Sequence, residues 1–345
     1  MTPVSILAAS GAHALTSAHG SVYDTAKHPQ LDPAMQRVLN VLESLHSQPI
    51  ENLSPSDARL QPTPADAVKK ILEHDNNLLI VDNSLIVSEQ KIDGPLGQIP
   101  IHIFTPPGEG PFPVLVYFHG GGFVIANTKT YESSVRALAK AANAIVVSVD
   151  YHQAPEHPFP APVNDAFTAY QWVLDNAKEF NGDSNRVAVG GESAGGNLAA
   201  VVSLMARDNK VKLPIHQLLI YPVVNDDLDS ASYIRNENAK PLNKNMMKWF
   251  FKHYAADSNN AYALPLKAST LRGLPSATVI TAEMDPLLCD GKFYADRLRY
   301  EGVEVAYQEF TGVTHEFFGM GAVIPKAKQA EIFAADNLIR AFSKE

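Results

Sequence analysis

The stretch Gly191-Glu192-Ser193-Ala194-Gly195 decides the fold of this chain. It follows the apolar run Val187–Val189 and precedes a helix of small residues predicted over Asn197–Arg207. A serine on such a sharp strand-to-helix turn has its hydroxyl clear of the sheet, so the residues two positions away must lack bulk. The stretch therefore predicts that Ser193 is a nucleophile at the end of a strand. A glycine-rich turn that merely contains a serine is the alternative.

Outward from this turn, apolar runs of strand length alternate with amphipathic stretches. The predicted strands are Leu85–Lys91, Ile99–Phe104, Val114–Phe118, Ala144–Val149, Val187–Val189, Gln217–Tyr221, Ala277–Thr281 and Val303–Gln308. Helices are predicted between them at Tyr131–Ala142, Asn164–Glu179, Asn197–Arg207 and Gly291–Tyr300. This alternation predicts an α/β fold with a mostly parallel, twisted central sheet of about eight strands, flanked by helices. Functional loops should then lie at the carboxyl ends of the strands.

Two regions do not follow this alternation. Residues 32–45 and 65–73 have helical apolar spacing on either side of a proline-rich linker. Residues 225–262 are polar at first and then hold a dense cluster of methionines and aromatic residues around Trp249. We interpret residues 1–75 as an N-terminal arm with cap helices, and residues 76–345 as a catalytic core with a cap insertion at about 226–262. The cluster around Trp249 is either ordinary packing or also a wall of an acyl pocket.

A second glycine-rich motif, His119-Gly120-Gly121-Gly122-Phe123, follows the predicted strand Val114–Phe118. Consecutive glycines let the backbone approach a substrate carbonyl and aim N–H groups at the negative oxygen that develops in acyl transfer. Removing one such donor raises the barrier by about 3–4 kcal/mol. A phosphate-binding loop is disfavoured, because no Lys-Ser/Thr pair follows and the spacing does not fit a dinucleotide fingerprint. His119 is expected to brace the glycines.

A serine nucleophile needs a base, and twelve histidines compete for that role. His315 follows the last predicted strand, at the sheet edge where the turn of Ser193 should open. Asp285 lies just past the preceding strand, so the chain order is nucleophile, acid, base. Ser193, Asp285 and His315 are therefore the predicted catalytic residues. Of the rival carboxylates, Glu192 is expected to be forced away by the turn, and Asp165 to be a helix-start residue or a local hydrogen-bond partner.

Composition and charge argue against several kinds of partner. The formal net charge of −9 and the absence of a basic stripe argue against nucleic acid. No apolar run is long enough to span a bilayer. No His or Cys pair has metal-ligand spacing in a suitable context, so we expect no metal. The single cysteine, Cys289, permits no intrachain disulfide and is expected to be a buried packing residue.

The first twenty residues bear on location. Met1–Gly20 faintly resembles a signal peptide, but it lacks a positive start and is interrupted by His13 and His19. A loosely ordered or helical arm is the preferred interpretation. We expect a cytoplasmic protein, with export left open.

Several of these motifs together resemble the hormone-sensitive-lipase-like esterases of the α/β-hydrolase superfamily. The resemblance extends from about Phe112 to Phe318, in the segments 119–123, 150–160 and 191–196, Asp285-Pro286-Leu287, and His315 with Phe317. It implies an α/β-hydrolase fold with a helical cap, small-molecule acyl ester substrates and no cofactor. It also implies an oxyanion hole formed by Gly121, Gly122 and Ala194. Many members form dimers, so a homodimer is one expectation.

The chain departs from the family pattern at four places. Glu192 stands where many members have Asp, His152-Gln153 replaces Arg-Leu, Leu288-Cys289 replaces Arg-Asp, and Glu316 replaces a frequent Gly beside the base. None of these residues belongs to the predicted triad or oxyanion hole. The departures are therefore expected to leave the fold unchanged and to affect which substrates are preferred.

The function expected from these observations is that of a carboxylesterase acting on short-to-medium acyl esters through a covalent acyl-enzyme. An amidase or N-deacetylase would use the same triad, so that alternative stays open. A non-catalytic small-molecule receptor on this fold would typically have lost part of the triad, which is complete here. A lipase acting at an oil interface would need a larger exposed apolar lid.

Overall fold

The computed structural model describes residues 30–75 and 84–344. At its centre, eight strands form one sheet in the order β1-β2-β4-β3-β5-β6-β7-β8. The strands are β1 Ile86–Gly94, β2 Gly97–Thr105, β3 Phe112–Phe118, β4 Ile145–Val149, β5 Gly182–Glu192, β6 His216–Ile220, β7 Ser276–Met284 and β8 Val305–Thr314. β2 pairs antiparallel with both β1 and β4, and all other neighbouring strands are parallel. The predicted α/β fold with a mostly parallel central sheet of about eight strands is confirmed.

Both faces of the sheet are covered. Successive side chains of β3 alternate between two buried clusters, since Val114 and Val116 belong to one and Leu115 and Tyr117 to the other. The helices of the described residues are α1 Pro33–Ser44, α2 Pro55–Ala58, α3 Pro64–His74, α4 Glu132–Ala141, α5 Ala161–Asn176, α6 Ala194–Asp208, α7 Ala231–Arg235, α8 Lys244–Tyr254, α9 Leu288–Tyr300 and α10 Pro325–Phe342. Helices α5, α6 and α9 contribute to the first cluster, and α4 and α10 to the second.

Two elements differ from the apolar pattern. Helix α10 was not predicted, because its buried face consists largely of alanines, such as Ala330 and Ala334, rather than of large apolar residues. Strand β8 extends to Thr314, six residues past its predicted end, because Thr311 and Gly312 break the apolar run without ending the strand.

Helices α2 and α8 border the cavity that contains Ser193, and long-range contacts hold them there. The Arg59 guanidinium, just after α2, donates to the carbonyls of Val124 and Ala154 at 2.8 and 2.9 Å. It also makes two hydrogen bonds to the Glu156 carboxylate, of 2.8 and 2.6 Å. On α8, the indole of Trp249 donates to the carbonyl of Leu53 at 3.2 Å.

The division into cap and core stays a prediction. The interpretation of residues 1–29 as an arm or signal-like segment lies outside the described residues. Within residues 30–75 and 84–344, no helix has both the length and the apolar character needed to cross a membrane.

Candidate active site

The turn between β5 and α6 places Ser193 in a strained conformation. Ser193 has φ 57° and ψ −117°, which a non-glycine residue rarely adopts. The turn is secured by the Ser193 N–H, which donates to the carbonyl of Ile220 at 2.9 Å. A Cβ on Gly195 would lie 1.9 Å from the carbonyl oxygen of Phe118, so only glycine fits there. The small residues of the motif therefore allow α6 to start directly against β3.

The three residues predicted to form a triad lie together. His315 Nε2 is 2.9 Å from Ser193 Oγ, and His315 Nδ1 is 2.6 Å from Asp285 Oδ2. The other carboxylate oxygen of Asp285 accepts the N–H of Leu287 at 2.9 Å. Ser193, Asp285 and His315 follow β5, β7 and β8, so all three lie at carboxyl ends of strands. This geometry can transfer a proton from the hydroxyl to the imidazole.

The charge environment of His315 favours the protonated imidazole. His315 and Asp285 are buried, and Ser193 is only 5% exposed. Burial on its own would lower the pKa of His315, but the charge and hydrogen bond of Asp285 raise it, so that the pKa lies above its ordinary value. An imidazolium formed during a reaction is therefore stabilised at this position.

The glycine-rich loop after β3 lies next to the serine. Gly121 and Gly122 have φ angles of 96° and 58°, and both line the same cavity as Ser193. A Cβ on Gly122 would lie 2.2 Å from the ring of Phe250, so α8 packs directly on this loop. Ala194 is the first residue of α6, where backbone N–H groups have no partner within the helix. The assignment of these three residues as oxyanion donors stays a prediction.

Neighbouring side chains stabilise the glycine-rich loop that follows β3. The ring of His119 is buried, and its Nδ1 lies 2.7 Å from the carbonyl oxygen of Gly120. The same ring stacks on that of Tyr151, with the ring centroids 4.4 Å apart. The amide of Gln153 donates to the carbonyls of Ile125 and Ala126, both at 2.9 Å. This agrees with the expected bracing role of His119 and gives Gln153 a similar one.

The two rival carboxylates are engaged elsewhere. Glu192 is buried and accepts hydrogen bonds from the hydroxyls of Tyr117 and Tyr221. Burial, with the nearby charge of Glu316, raises the pKa of Glu192 to about 7. Asp165 accepts the backbone N–H of His152 at 2.8 Å and lies 2.6 Å from its Nδ1. Both outcomes agree with the sequence-based expectation.

The cavity in front of Ser193 has a volume of about 670 Å³. Its walls come from the core loops, from the N-terminal helical segment and from α8. The apolar residues that line it include Leu42, Ile50, Val223, Met246, Met247 and Phe250. Two further residues of the aromatic cluster, Trp249 and Tyr254, are buried packing residues. The cluster therefore serves both purposes that the sequence left open, packing and lining the pocket.

One polar pair at the site was not recognised from sequence. The Tyr131 hydroxyl donates to Glu316 Oε1 at 2.6 Å, and the same oxygen is 3.8 Å from His315 Nε2. Both Tyr131 and Glu316 line the cavity. The only sequence signal was the position of Glu316 beside the base.

Two further expectations concern metal ligands and the cysteine. Across residues 30–75 and 84–344, no three His, Cys, Asp or Glu side chains are grouped so that they could hold a metal ion. Cys289 is free and partly buried, rather than fully buried as expected. It lies at the start of α9, where its backbone N–H donates to Ser232 Oγ at 3.1 Å.

The fold and the arrangement of Ser193 at its strand end are those of an α/β hydrolase. A family model described as alpha/beta hydrolase fold matches residues 115–319. The chain belongs to this family, among its hormone-sensitive-lipase-like esterases.

Relatives and solved structures agree with this assignment. The chain is 40% identical over 242 residues to the carboxylesterase NlhH of Mycobacterium tuberculosis, covering 68% of this chain and 76% of the relative. It is 39% identical over 226 residues to an arylesterase of Saccharolobus solfataricus, covering 64% and 74%. A hyperthermophilic esterase of Pyrobaculum calidifontis superposes with a TM-score of 0.81 at 34% identity, covering 90% of this chain and 98% of that one. The chain is therefore an enzyme of the carboxylic-ester hydrolase class.

Proposed function

We propose that this enzyme is a carboxylesterase that cleaves short-to-medium acyl esters through a covalent acyl-enzyme on Ser193. The observation that carries the proposal is the continuous hydrogen-bonded arrangement of Ser193, His315 and Asp285, in which Ser193 and His315 line the cavity. Names of relatives, such as carboxylesterase and arylesterase, support ester substrates.

In the first half of the reaction, His315 Nε2 removes the proton from Ser193 Oγ as that oxygen attacks the ester carbonyl carbon. The carbonyl oxygen becomes negative and accepts hydrogen bonds from the backbone N–H groups of Gly121, Gly122 and Ala194. When the tetrahedral intermediate collapses, the bond to the leaving oxygen breaks and His315 donates its proton to that oxygen. The alcohol leaves, and the acyl group remains on Ser193.

In the second half, water replaces the alcohol. His315 removes a proton from the water as it attacks the acyl carbon, and then returns the proton to Ser193 Oγ as the acid leaves. Asp285 holds His315 in the tautomer that has its proton on Nδ1 and stabilises the imidazolium at each transfer. All these protons pass through one atom, Nε2, whose distance of 2.9 Å from Ser193 Oγ suits the transfer.

The cavity argues for acyl groups of limited length. Phe250 and Met247 line it on the α8 side, and Ile50 and Leu42 line it on the side of the N-terminal helices. Phe250 and Met247 are themselves buried, so an acyl chain meets packed side chains rather than open surface. Long chains would therefore have to displace packed groups, at a cost of about 1–3 kcal/mol for overpacking.

The test is hydrolysis of p-nitrophenyl esters from acetyl to palmitoyl by the wild type and by Ser193→Ala. We expect kcat/KM to be highest for short-to-medium chains, and kcat to fall by about 10⁶-fold in the variant, as when a triad serine is removed. A matched control is Ser203→Ala, which removes a buried hydroxyl from α6 that donates to the carbonyl of Ala199 at 3.0 Å.

The outcomes separate the alternatives. Wild-type turnover of acyl amides but of no ester would replace the proposal by an amidase. Equal activity of Ser193→Ala and the wild type would remove Ser193 from the mechanism. Fastest turnover of palmitoyl ester would contradict the limited acyl pocket.

A further inference from the structure

A second carboxylate lies at the reacting edge of the base. The imidazole of His315 has Asp285 on its Nδ1 side at 2.6 Å, and Glu316 on its Nε2 side at 3.8 Å. Nε2 is the atom that would exchange the proton with Ser193 and with the leaving alcohol. The Glu316 carboxylate therefore lies close to the place where positive charge develops.

The local backbone turns Glu316 toward the cavity. The residue has φ 68°, in the left-handed region that favours glycine, so its place there is conformationally unfavourable. Its side chain remains 21% exposed and lines the cavity. A strained, partly desolvated carboxylate beside a base is typical of a residue kept for function rather than for stability.

Tyr131 fixes the position of this carboxylate. Its hydroxyl donates to Glu316 Oε1, the same oxygen that faces His315. The hydroxyl fits only because residue 120 is glycine, since a Cβ on Gly120 would lie 2.3 Å from it. The first glycine of the 119–123 motif thus makes room for the anchor of Glu316.

We propose that Glu316, anchored by Tyr131, is a positioning residue that stabilises the imidazolium of His315 from the side facing Ser193 and the leaving group. The inference rests on the proposed function, because it assigns Glu316 a part in that same proton transfer. Glu316 acts through His315 and forms no bond to substrate.

The size of the effect of Glu316 on the pKa of His315 follows from the distance between the two groups and from the exposure of Glu316. An opposite charge within about 4–6 Å of an ionisable group favours its charged form by about 1–3 pKa units. Glu316 is at 3.8 Å but borders the cavity, so we expect the lower part of that range. Burial would lower the pKa of His315, whereas Asp285, then Glu316 and Glu192, raise it.

The titratable groups that face His315 come from several elements of the sheet. They are Asp285 after β7, Glu316 after β8, Glu192 at the end of β5 and Tyr221 after β6. Tyr131 before α4 and Tyr117 on β3 donate hydrogen bonds to Glu316 and Glu192, respectively. Burial raises the pKa of Glu316, whereas His315 and then the Tyr131 hydrogen bond lower it, and the net shift is upward. Each of the two groups therefore shifts the pKa of the other, His315 lowering that of Glu316 and Glu316 raising that of His315.

The experiment is an NMR titration of the His315 imidazole nitrogens in the full-length enzyme, comparing the wild type with Glu316→Gln and Glu316→Gly. We expect the pKa of His315 to be lower by about one unit in both variants. The acid limb of the kcat/KM profile should move to lower pH by the same amount, because the neutral base then persists into more acidic solution. Glu316→Gly also relieves the φ of 68°, so it should fold at least as well as the wild type.

The control is Glu309→Gln, which removes an exposed carboxylate from β8 well before the site. It should leave the pKa of His315 unchanged, whereas Tyr131→Phe should produce a smaller decrease than Glu316→Gln. An unchanged pKa of His315 in both Glu316 variants would overturn the inference, even with reduced activity. The titration needs no turnover. If the pKa of His315 decreases as expected in the Glu316 variants but the wild type cleaves no ester, the proposed function is contradicted, whereas the effect of Glu316 on His315 still stands.

Discussion

The residues at the carboxyl ends of the strands are positioned by local turns, whereas the helices that cover them are positioned by contacts between distant segments. Ser193, Asp285 and His315 each lie on a short turn directly after a strand, so a few neighbouring residues fix their positions. The covering helices depend on contacts between distant segments. Arg59 and Glu156 are 97 residues apart in the chain, and Trp249 and Leu53 are 196 apart.

From this difference we expect the turns to determine the rate of the reaction and the covering helices to determine which substrates are preferred. The predicted reacting groups lie on local turns at strand ends, so we expect the reaction to be less sensitive to changes in the covering helices than to changes in the turns. The pocket walls are shared between α8, the N-terminal segment and the core loops, so their shape depends on long-range packing. Substitutions in the turns should therefore change kcat, and substitutions in the covering helices should change KM or chain-length preference.

The largest effect is expected from Asp285→Asn. The Leu287 N–H, 2.9 Å from Oδ1, should keep the amide oxygen in its place and turn the amide nitrogen toward His315 Nδ1. An amide donor there stabilises the tautomer with hydrogen on Nε2, which cannot accept the proton of Ser193. We expect kcat for p-nitrophenyl butyrate to fall by about 10⁴-fold, with little change in thermal unfolding. A loss below about 100-fold would mean that another carboxylate orients His315.

Gly195→Ala should have the next largest effect. The new Cβ would lie 1.9 Å from the carbonyl oxygen of Phe118, a backbone atom that can move only with β3. The resulting shift of α6 should lower the free energy of unfolding by about 1–3 kcal/mol and kcat by about 100-fold. Urea unfolding and steady-state kinetics measure the two effects. Gly196→Ala is the matched control, because its Cβ would lie 3.0 Å from Pro222 and should be better tolerated. Equal losses in both variants would contradict the contact argument.

The same contrast explains what the sequence could predict. The apolar runs and the turns at 191–195 and around 285 and 315 gave the sheet and the candidate triad, because those signals lie within a few residues. Helix α10 was missed because its buried face is mostly alanine. The Tyr131–Glu316 pair could not be predicted, because its two residues are 185 positions apart and meet only in the folded chain.

Phe250→Ala tests the role of the cavity wall formed by α8, rather than the role of the turns that carry the predicted triad. The ring packs on Gly122 and lines the cavity, so its removal should lengthen the acyl pocket. We expect kcat/KM for octanoyl relative to acetyl esters to rise about tenfold, since a methylene in an apolar pocket contributes about 1–3 kcal/mol. Phe251→Ala is the control, because this neighbour is not among the residues that line the cavity. An unchanged ratio in Phe250→Ala would place the acyl chain elsewhere in the cavity.

The smallest effect is expected from Arg59→Met, which keeps an apolar stem but removes the charged group that ties the segment after α2 to the core. The hydrogen bond from Arg59 lowers the pKa of Glu156 to about 2. A carboxyl with a depressed pKa contributes its stabilisation above the ordinary value and loses it as pH falls through about 2, so the ion pair is intact at any neutral assay pH.

Because Arg59 is 28% exposed at its side chain, its loss should loosen the covering segment without unfolding the protein. We expect KM for butyrate esters to rise about threefold, equivalent to about 0.6 kcal/mol, with kcat unchanged. Hydrogen exchange of residues 50–60 should become faster in the variant. Glu156→Gln, which leaves the two bonds from Arg59 to backbone carbonyls in place, should show a smaller rise. A fall in kcat at constant KM would instead show that the covering helices help to position the reacting groups, and the separation between turns and covering helices would then fail.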